Sequence, residues 1–486
     1  MATRDRTAAR QKVAAPARTT DPAYAPEGRS DHLPPLEYRD IPKAPKLRKV
    51  IGPSVVLVGV GISSGEFIIW PYITSQVGLI FLWAAAVGIF MQLILNMEIE
   101  RYTLATGETA IVGFARSWKP WGVVFIACAV IPNFWPGWAA SSATLTTFLI
   151  GGGNVTLIAI AMLVVMGIAL TASPVVYRTM EKVEFAKVAV VLIFLVVALV
   201  AGITGSAYED VPKAATDAGW PSGIDVAVIL GALAFAGVGG VNNLCQSNWI
   251  RDKGFGMGSH IPHVVSPLTG EDQAKPSTGY MVRQDEENLD RFWGWWRVAK
   301  KEQFWFFFVT GLITIMVFSL LAYSTVFGRD LGEQLDFVEG EGNALKDSVA
   351  PWFGTVFWGI GAVSLFAGSL GILDYVARVS ADVIKTLYAR ESRRITESWV
   401  YFCFVWGEIA LGTIVLLSGF DQPLALLIVA SSLNGVVMFI YSLLLIKLNR
   451  QGLPVPIRVR GLRLYLLWAI AAVFGGLSVA LLVSQI

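Results

Sequence analysis

The sequence predicts an all-α polytopic membrane protein of about eleven transmembrane helices. Three observations carry that prediction. Of 486 residues, 55% are hydrophobic and 15% charged, with a mean hydropathy of +0.59, well outside the range of soluble domains. Apolar stretches recur at the length of roughly 20 residues that crosses a bilayer. Basic residues fall on alternate connections between those stretches, as the positive-inside rule requires.

Residues 1–49 are rich in Pro, Arg, Ala and Asp without a sustained apolar period. They are expected to form a disordered cytoplasmic tail. No apolar signal-peptide core is present, so the first span is expected to be retained. Lys43, Lys46, Arg48 and Lys49 precede that span and place the N-terminus inside.

The spans are expected at 50–75, 79–102, 120–149, 154–173, 183–204, 225–249, 303–327, 352–384, 399–418, 423–447 and 462–484. They are called spans 1 to 11 below. The expected cytoplasmic connections contain Arg116 and Lys119, then Arg178, Lys182 and Lys187, then Arg251 to Lys301. The last two contain Lys385 to Arg394 and Lys447 to Arg463. The expected outer loops carry only Lys213, Arg329 and Lys346 among many acids. An odd number of spans puts the C-terminus outside, in the plasma membrane.

Span 1 is unlike an ordinary membrane helix. Gly59, Gly61, Ser63, Ser64 and Gly65 weaken it, and Glu66 places a carboxylate near mid-membrane, where an ionisable group points to function. Span 6 repeats the pattern with Gly237, Gly239 and Gly240 followed by Asn242 and Asn243. Gly59-Val60-Gly61 and Gly237-Val238-Gly239 match letter for letter. Paired interrupted segments at corresponding positions mark a transporter site; close helix packing through glycine is the alternative reading.

Other polar residues inside spans are candidates for coupling or gating. Asp374 and Arg378 stand four apart on one face of span 8, with Asp382 continuing it. Glu408 is an isolated acid in span 9, and Glu98, Glu100 and Arg101 close the inner end of span 2. In span 3, Pro132 to Trp138 predicts a kink, with Trp135 and Trp138 either lining a pathway or forming an aromatic belt. In the insertion 250–302, residues 288–308 are amphipathic and aromatic, suiting an interfacial helix that feeds span 7. His260 and His263 form a lone pair in its loop, and Cys128, Cys245 and Cys403 give no disulfide or metal framework.

Gly52-Pro53, Leu104-Ala105-Thr106-Gly107, Tyr177-Arg178 with Glu181-Lys182, and Pro423 to Leu427 occur in an order and spacing that resembles the Nramp (natural resistance-associated macrophage protein) family of divalent-metal transporters. That resemblance implies a LeuT-type fold. Its inverted repeats of five helices would cover 50–204 and 225–447, with an extra helix over 462–486. The chain departs from the family at its chemistry. Ser63-Ser64-Gly65-Glu66 stands where the family has Asp-Pro-Gly-Asn, and Gly240-Val241-Asn242 where it has Met-Pro-His.

The expected binding residues are therefore Ser63, Ser64, Gly65, Glu66, Gly239, Gly240, Asn242 and Asn243, all lining the crevice between spans 1 and 6. Glu66 and Asn242 are the metal candidates; Glu66, Glu98, Asp374, Arg378 and Asp382 are the coupling or gating candidates. Oxygen donors of this kind suit a hard cation or an ammonium group. The expected partners are an inorganic cation or small polar solute and the lipid bilayer, without nucleic acid. No cofactor is expected beyond a coupling proton or sodium ion. Alternative readings are a carrier of an organic amine or amino acid, and a non-transporting sensor or assembly protein. No catalytic triad, phosphate loop or clustered metal ligands point to an enzyme.

Overall fold

The computed structural model describes residues 23–172, 176–261, 278–329, 332–392, 394–420 and 422–484, without the side chains of 176–180 and of Lys213. His263, Arg393 and the side chains of Tyr177 and Arg178 lie outside the described residues.

Among the described residues, nine helices are long and apolar enough to cross a membrane. One of them, Pro53–Thr106, runs for 54 residues and contains spans 1 and 2, which turn at Gly78 with φ of 69°. Span 6 is not among the nine because it is split into Val226–Ala234 and Gly240–Asp252, each too short to cross alone. Dividing the long run and restoring the split span recovers eleven. Span 3 is interrupted where expected, between Trp121–Asn133 and Gly137–Ile150. Trp138 there is buried inside the bundle and Trp135 is half-buried.

With no hydrophobic drive between helices in lipid, close packing has to hold the bundle, and small residues permit it. A Cβ on Gly137 would lie 2.6 Å from the backbone nitrogen of Leu427 in span 10. One on Gly368 of span 8 would lie 2.5 Å from Ser63.

The tail differs from its expectation. Residues 23–49 are packed chain, with Leu36 and Ile41 fully buried, where the sequence predicts a disordered segment. The reason lies in partners far away in sequence. Strand β1 (Glu37–Arg39) pairs in parallel with β2 (Tyr280–Val282) of the insertion, Tyr38 opposite Met281. Arg116 donates to the carbonyls of Gly28 and Pro34, both at 3.0 Å, and Trp295 Nε1 to that of Pro42 at 2.8 Å. Ile41 N donates to Asn288 Oδ1 at 2.9 Å. This strap crosses one end of the bundle, called the strap end below.

The amphipathic segment forms the helix Glu286–Glu302, N-capped by Asp285, and continues through a π-helical stretch, Gln303–Val309, into Thr310–Thr325. It is continuous with span 7 rather than a separate helix lying flat. Phe292, Trp295 and Trp296 are buried; Trp296 stacks on the Arg101 guanidinium 4.1 Å away.

Candidate transport site

The first half of span 1, Pro53–Gly61, ends because Ile62 leaves helical geometry at φ −68°, ψ 62°. Ser63 N then donates to Gly61 O at 2.6 Å instead of to Gly59 O, its partner in a continuous helix. Ser63 Oγ donates to Val60 O at 2.5 Å. The helix resumes as a π turn, Gly65–Ile69, before Trp70–Val77. Such turns concentrate at functional sites.

Span 6 breaks between Ala234 and Gly240, with Gly237, Gly239 and Gly240 at φ of 141°, 65° and 58°, backbone conformations that favour glycine. Gln92 of span 2 closes the gap. Its Nε2 donates to Ala234 O at 2.6 Å and Leu233 O at 3.3 Å, and its Oε1 accepts from Val238 N at 3.1 Å.

The two breaks touch through backbone. A Cβ on Gly61 would lie 2.5 Å from Gly237 O, and one on Gly65 would strike Phe235 O. As span 1 advances from Gly61 to Gly65, its neighbour in span 6 falls back from Gly237 to Phe235. The two broken spans therefore run antiparallel, as inverted repeats require. Ser63, Ser64, Glu66 and Asn242 are at most 4% exposed, so the junction is closed to both ends of the bundle.

The candidate side chains do not all share this junction. Glu66 is turned to span 7, where Thr314 Oγ1 donates to its Oε2; its Oε1 accepts no bond from a described group. Asn243 is turned to span 2, its Nδ2 donating to Asn96 Oδ1 at 2.7 Å. Gly240 packs against the Asn434 side chain of span 10. Asn242 Oδ1 and both amide atoms of Gln246 are buried without a protein partner. Polar atoms buried in this way cost free energy until a partner or water satisfies them.

Lys187 and Glu184 were not expected here. Lys187, read as a loop charge, is buried in span 5 at 4% exposure and forms an ion pair with Glu184 at 2.6 Å. Its Nζ also donates to Gly59 O at 2.5 Å. The pair is self-neutralising and three residues apart, just past the charged start of its helix, Val176–Val197, so the sequence reads Lys187 as one more loop charge. Arg251, also read as a loop residue, belongs to the second half of span 6.

The span 8 carboxylates form a network with that half-helix. Arg378 contacts Asp374 at 3.0 Å and Asp252 at 2.5 Å, and Arg251 contacts Asp382 at 2.6 Å. Tyr401 OH donates to Asp374 at 2.9 Å and Thr109 Oγ1 to Asp382 at 2.8 Å. Glu98 belongs elsewhere: it joins Arg101 at 2.6 Å and Arg463 at 2.9 Å, tying span 2 to the start of span 11. Glu408 is buried with Oε1 unbonded, and Glu100 has neither oxygen bonded. Among the described residues no group of three or more His, Cys, Asp or Glu is gathered to hold a metal. His260 bonds the Asp40 carbonyl at 3.0 Å.

A mutant of the manganese transporter of Eremococcus coleocola superposes with a TM-score of 0.65 at 11% identity, covering 93% of this chain and 90% of that one. Mhp1, a nucleobase-cation-symport-1 family transporter with bromovinylhydantoin bound, gives 0.52 at 12% identity over 89% and 87%. MhsT in complex with L-phenylalanine gives 0.50 at 12% identity over 92% and 100%. The fold is that of LeuT-type transporters. No family model matches the sequence, and no curated protein matches it. In LeuT-type proteins, discontinuous helices meet near the bilayer midplane and bind substrate and coupling ion with half-helix ends and freed backbone groups. Spans 1 and 6 are the discontinuous helices of this chain, and their breaks meet where Gly61 faces Gly237.

Proposed function

We propose that this chain is a secondary transporter that carries a cation by alternating access, with the cargo held where the two broken spans meet. The observation that carries this reading is the buried backbone junction of Gly61 with Gly237, followed by a half-helix with orphaned polar atoms on Asn242 and Gln246. Charge favours a positive cargo. Two carboxyl groups, Glu66 and Glu184, face a single cationic side chain, Lys187, so a carboxylate at Glu66 would be matched by a positive cargo.

A divalent metal is the cargo that the resemblance to Nramp transporters supports, with the strap end facing the cytoplasm as the basic connections predict. A protonated amine or amino acid is the second reading. It is favoured by the lack of any gathered set of metal ligands among the described residues. The test is uptake of manganese and of magnesium into proteoliposomes, with and without a pH gradient, for the intact chain and Glu66→Gln. Uptake that the substitution abolishes supports a metal carrier. No uptake of either ion by folded protein overturns the metal assignment, and competition by amines and amino acids then becomes the assay.

A further inference from the structure

The break in span 1 leaves one group in particular need of a partner. The last carbonyls of a helix lack intrahelical donors and carry the negative end of its dipole. At Gly59 this is acute, because Ser63 N is drawn away to Gly61 O. In transporters with broken helices, such freed carbonyls and half-helix C-terminal ends hold the coupling cation. Here the position is filled from within: Lys187 Nζ lies 2.5 Å from Gly59 O and 2.6 Å from Glu184, and both side chains are buried. Gly59 itself has no room for a Cβ, because the Glu184 carboxylate occupies that space.

We infer that Lys187 is a tethered cation, permanently holding the place where a mobile alkali ion would otherwise bind, so that sodium does not govern the state of the span 1 break. The surrounding charges are consistent with a single resident cation. Glu184 on its own helix and Glu66 beyond the break attract it. Pro53–Gly61 and Val155–Ala172, both packed on span 5, contain no charged residue. Span 7 adds only Tyr323 in Thr310–Thr325, and in span 8 Asp374, Arg378 and Asp382 are already paired with one another or with span 6. The inference concerns what fills the break and holds whichever cargo is carried.

The test is the melting temperature of the full-length protein in detergent, in sodium, lithium, potassium and choline chloride at equal ionic strength. Lys187→Ala and Lys187→Gln are measured beside the unaltered chain. The unaltered chain is expected to melt at one temperature in all four salts. A folded Lys187 variant keeps the Glu184 carboxylate and the Gly59 carbonyl around the vacated volume. It is expected to gain roughly 2 °C or more in at least one alkali salt, because an ion that binds only the native state stabilises it. A sodium-dependent rise in the unaltered chain overturns the inference, as does a folded variant indifferent to all three ions. Should neither variant fold, the unaltered chain decides alone. None of these readings depends on transport, so a failed uptake assay leaves them intact.

Discussion

Gln92 shows how much of the architecture one side chain supports, since its amide satisfies both edges of the gap in span 6. Gln92→Leu is expected to strand Ala234 O and Val238 N in a water-poor interior, each orphan costing about 1–3 kcal/mol. Thermal unfolding should show a clear drop. Gln92→Glu keeps the acceptor toward Val238 while losing the donor, and should fall between the two. Gly61→Ala acts differently. Its methyl must push against Gly237 O, so transport is expected to fall at least about tenfold, a barrier change near 1.4 kcal/mol, measured as initial uptake rate per folded molecule. At this scale the breaks themselves were legible, because Gly and Ser runs announce where helices fail. Their partners were not. Nothing in the sequence around Gln92, Thr314 or Lys187 ties them to a break, and only packing reveals that each one faces one. The same cause scattered the predicted crevice: Glu66 and Asn243 are on the right spans but turn to spans 7 and 2.

Among elements, the second half of span 6 stands out, because every residue from Gly240 to Asp252 is buried although few of them are apolar. It is held to span 8 by charge. Arg378→Ala is expected to cost about 3–5 kcal/mol by leaving the buried Asp374 without a cation and Asp252 with only its longer 3.6 Å contact to Arg251, read as a lower melting temperature; Arg378→Met with Asp374→Leu should recover part of it. The helix Asp336–Ser348, in a connection expected to be a loop, holds the buried Glu341 and is tied to span 8 by Trp358, whose indole donates to Val338 O at 3.1 Å. Burial holds the Glu341 carboxyl well above its ordinary value near 4.5. With the folded value raised, its contribution to stability is complete below the ordinary value and is lost as the pH rises through the higher one. The intact protein should therefore lose stability relative to Glu341→Gln as the pH rises, and the two melting curves should converge in acid. Span positions and the span 3 kink were read directly from hydropathy and proline. The span 5 ion pair and this loop helix were not, since their polar residues stay hidden until the chain is folded.

For the whole molecule, the strap and the junction together describe a bundle closed at mid-membrane and fastened at one end. Cys245 lies fully buried in the second half of span 6 and can report on that fastening. In a background with Cys128 and Cys403 replaced by Ser, removing residues 1–45 is expected to raise the labelling rate of Cys245 by a membrane-impermeant maleimide applied from the strap side. Labelling unchanged from the full chain would mean that the strap does not limit access. The overall topology was within reach of the sequence because an antiparallel pair of broken spans leaves a repeated glycine pattern. The strap was not, because its apolar residues are few and its partner strand is remote.

That remoteness orders events during synthesis. β1 emerges ahead of span 1, while β2 follows six spans later, about half the chain away. A ribosome must therefore deliver all of the first repeat and the broken span 6 before the parallel pair can zip together. Throughout that interval the nascent bundle has no clasp, and pairing of Tyr38 with Met281 becomes a late assembly step that fastens the bundle only once the second repeat has begun to insert.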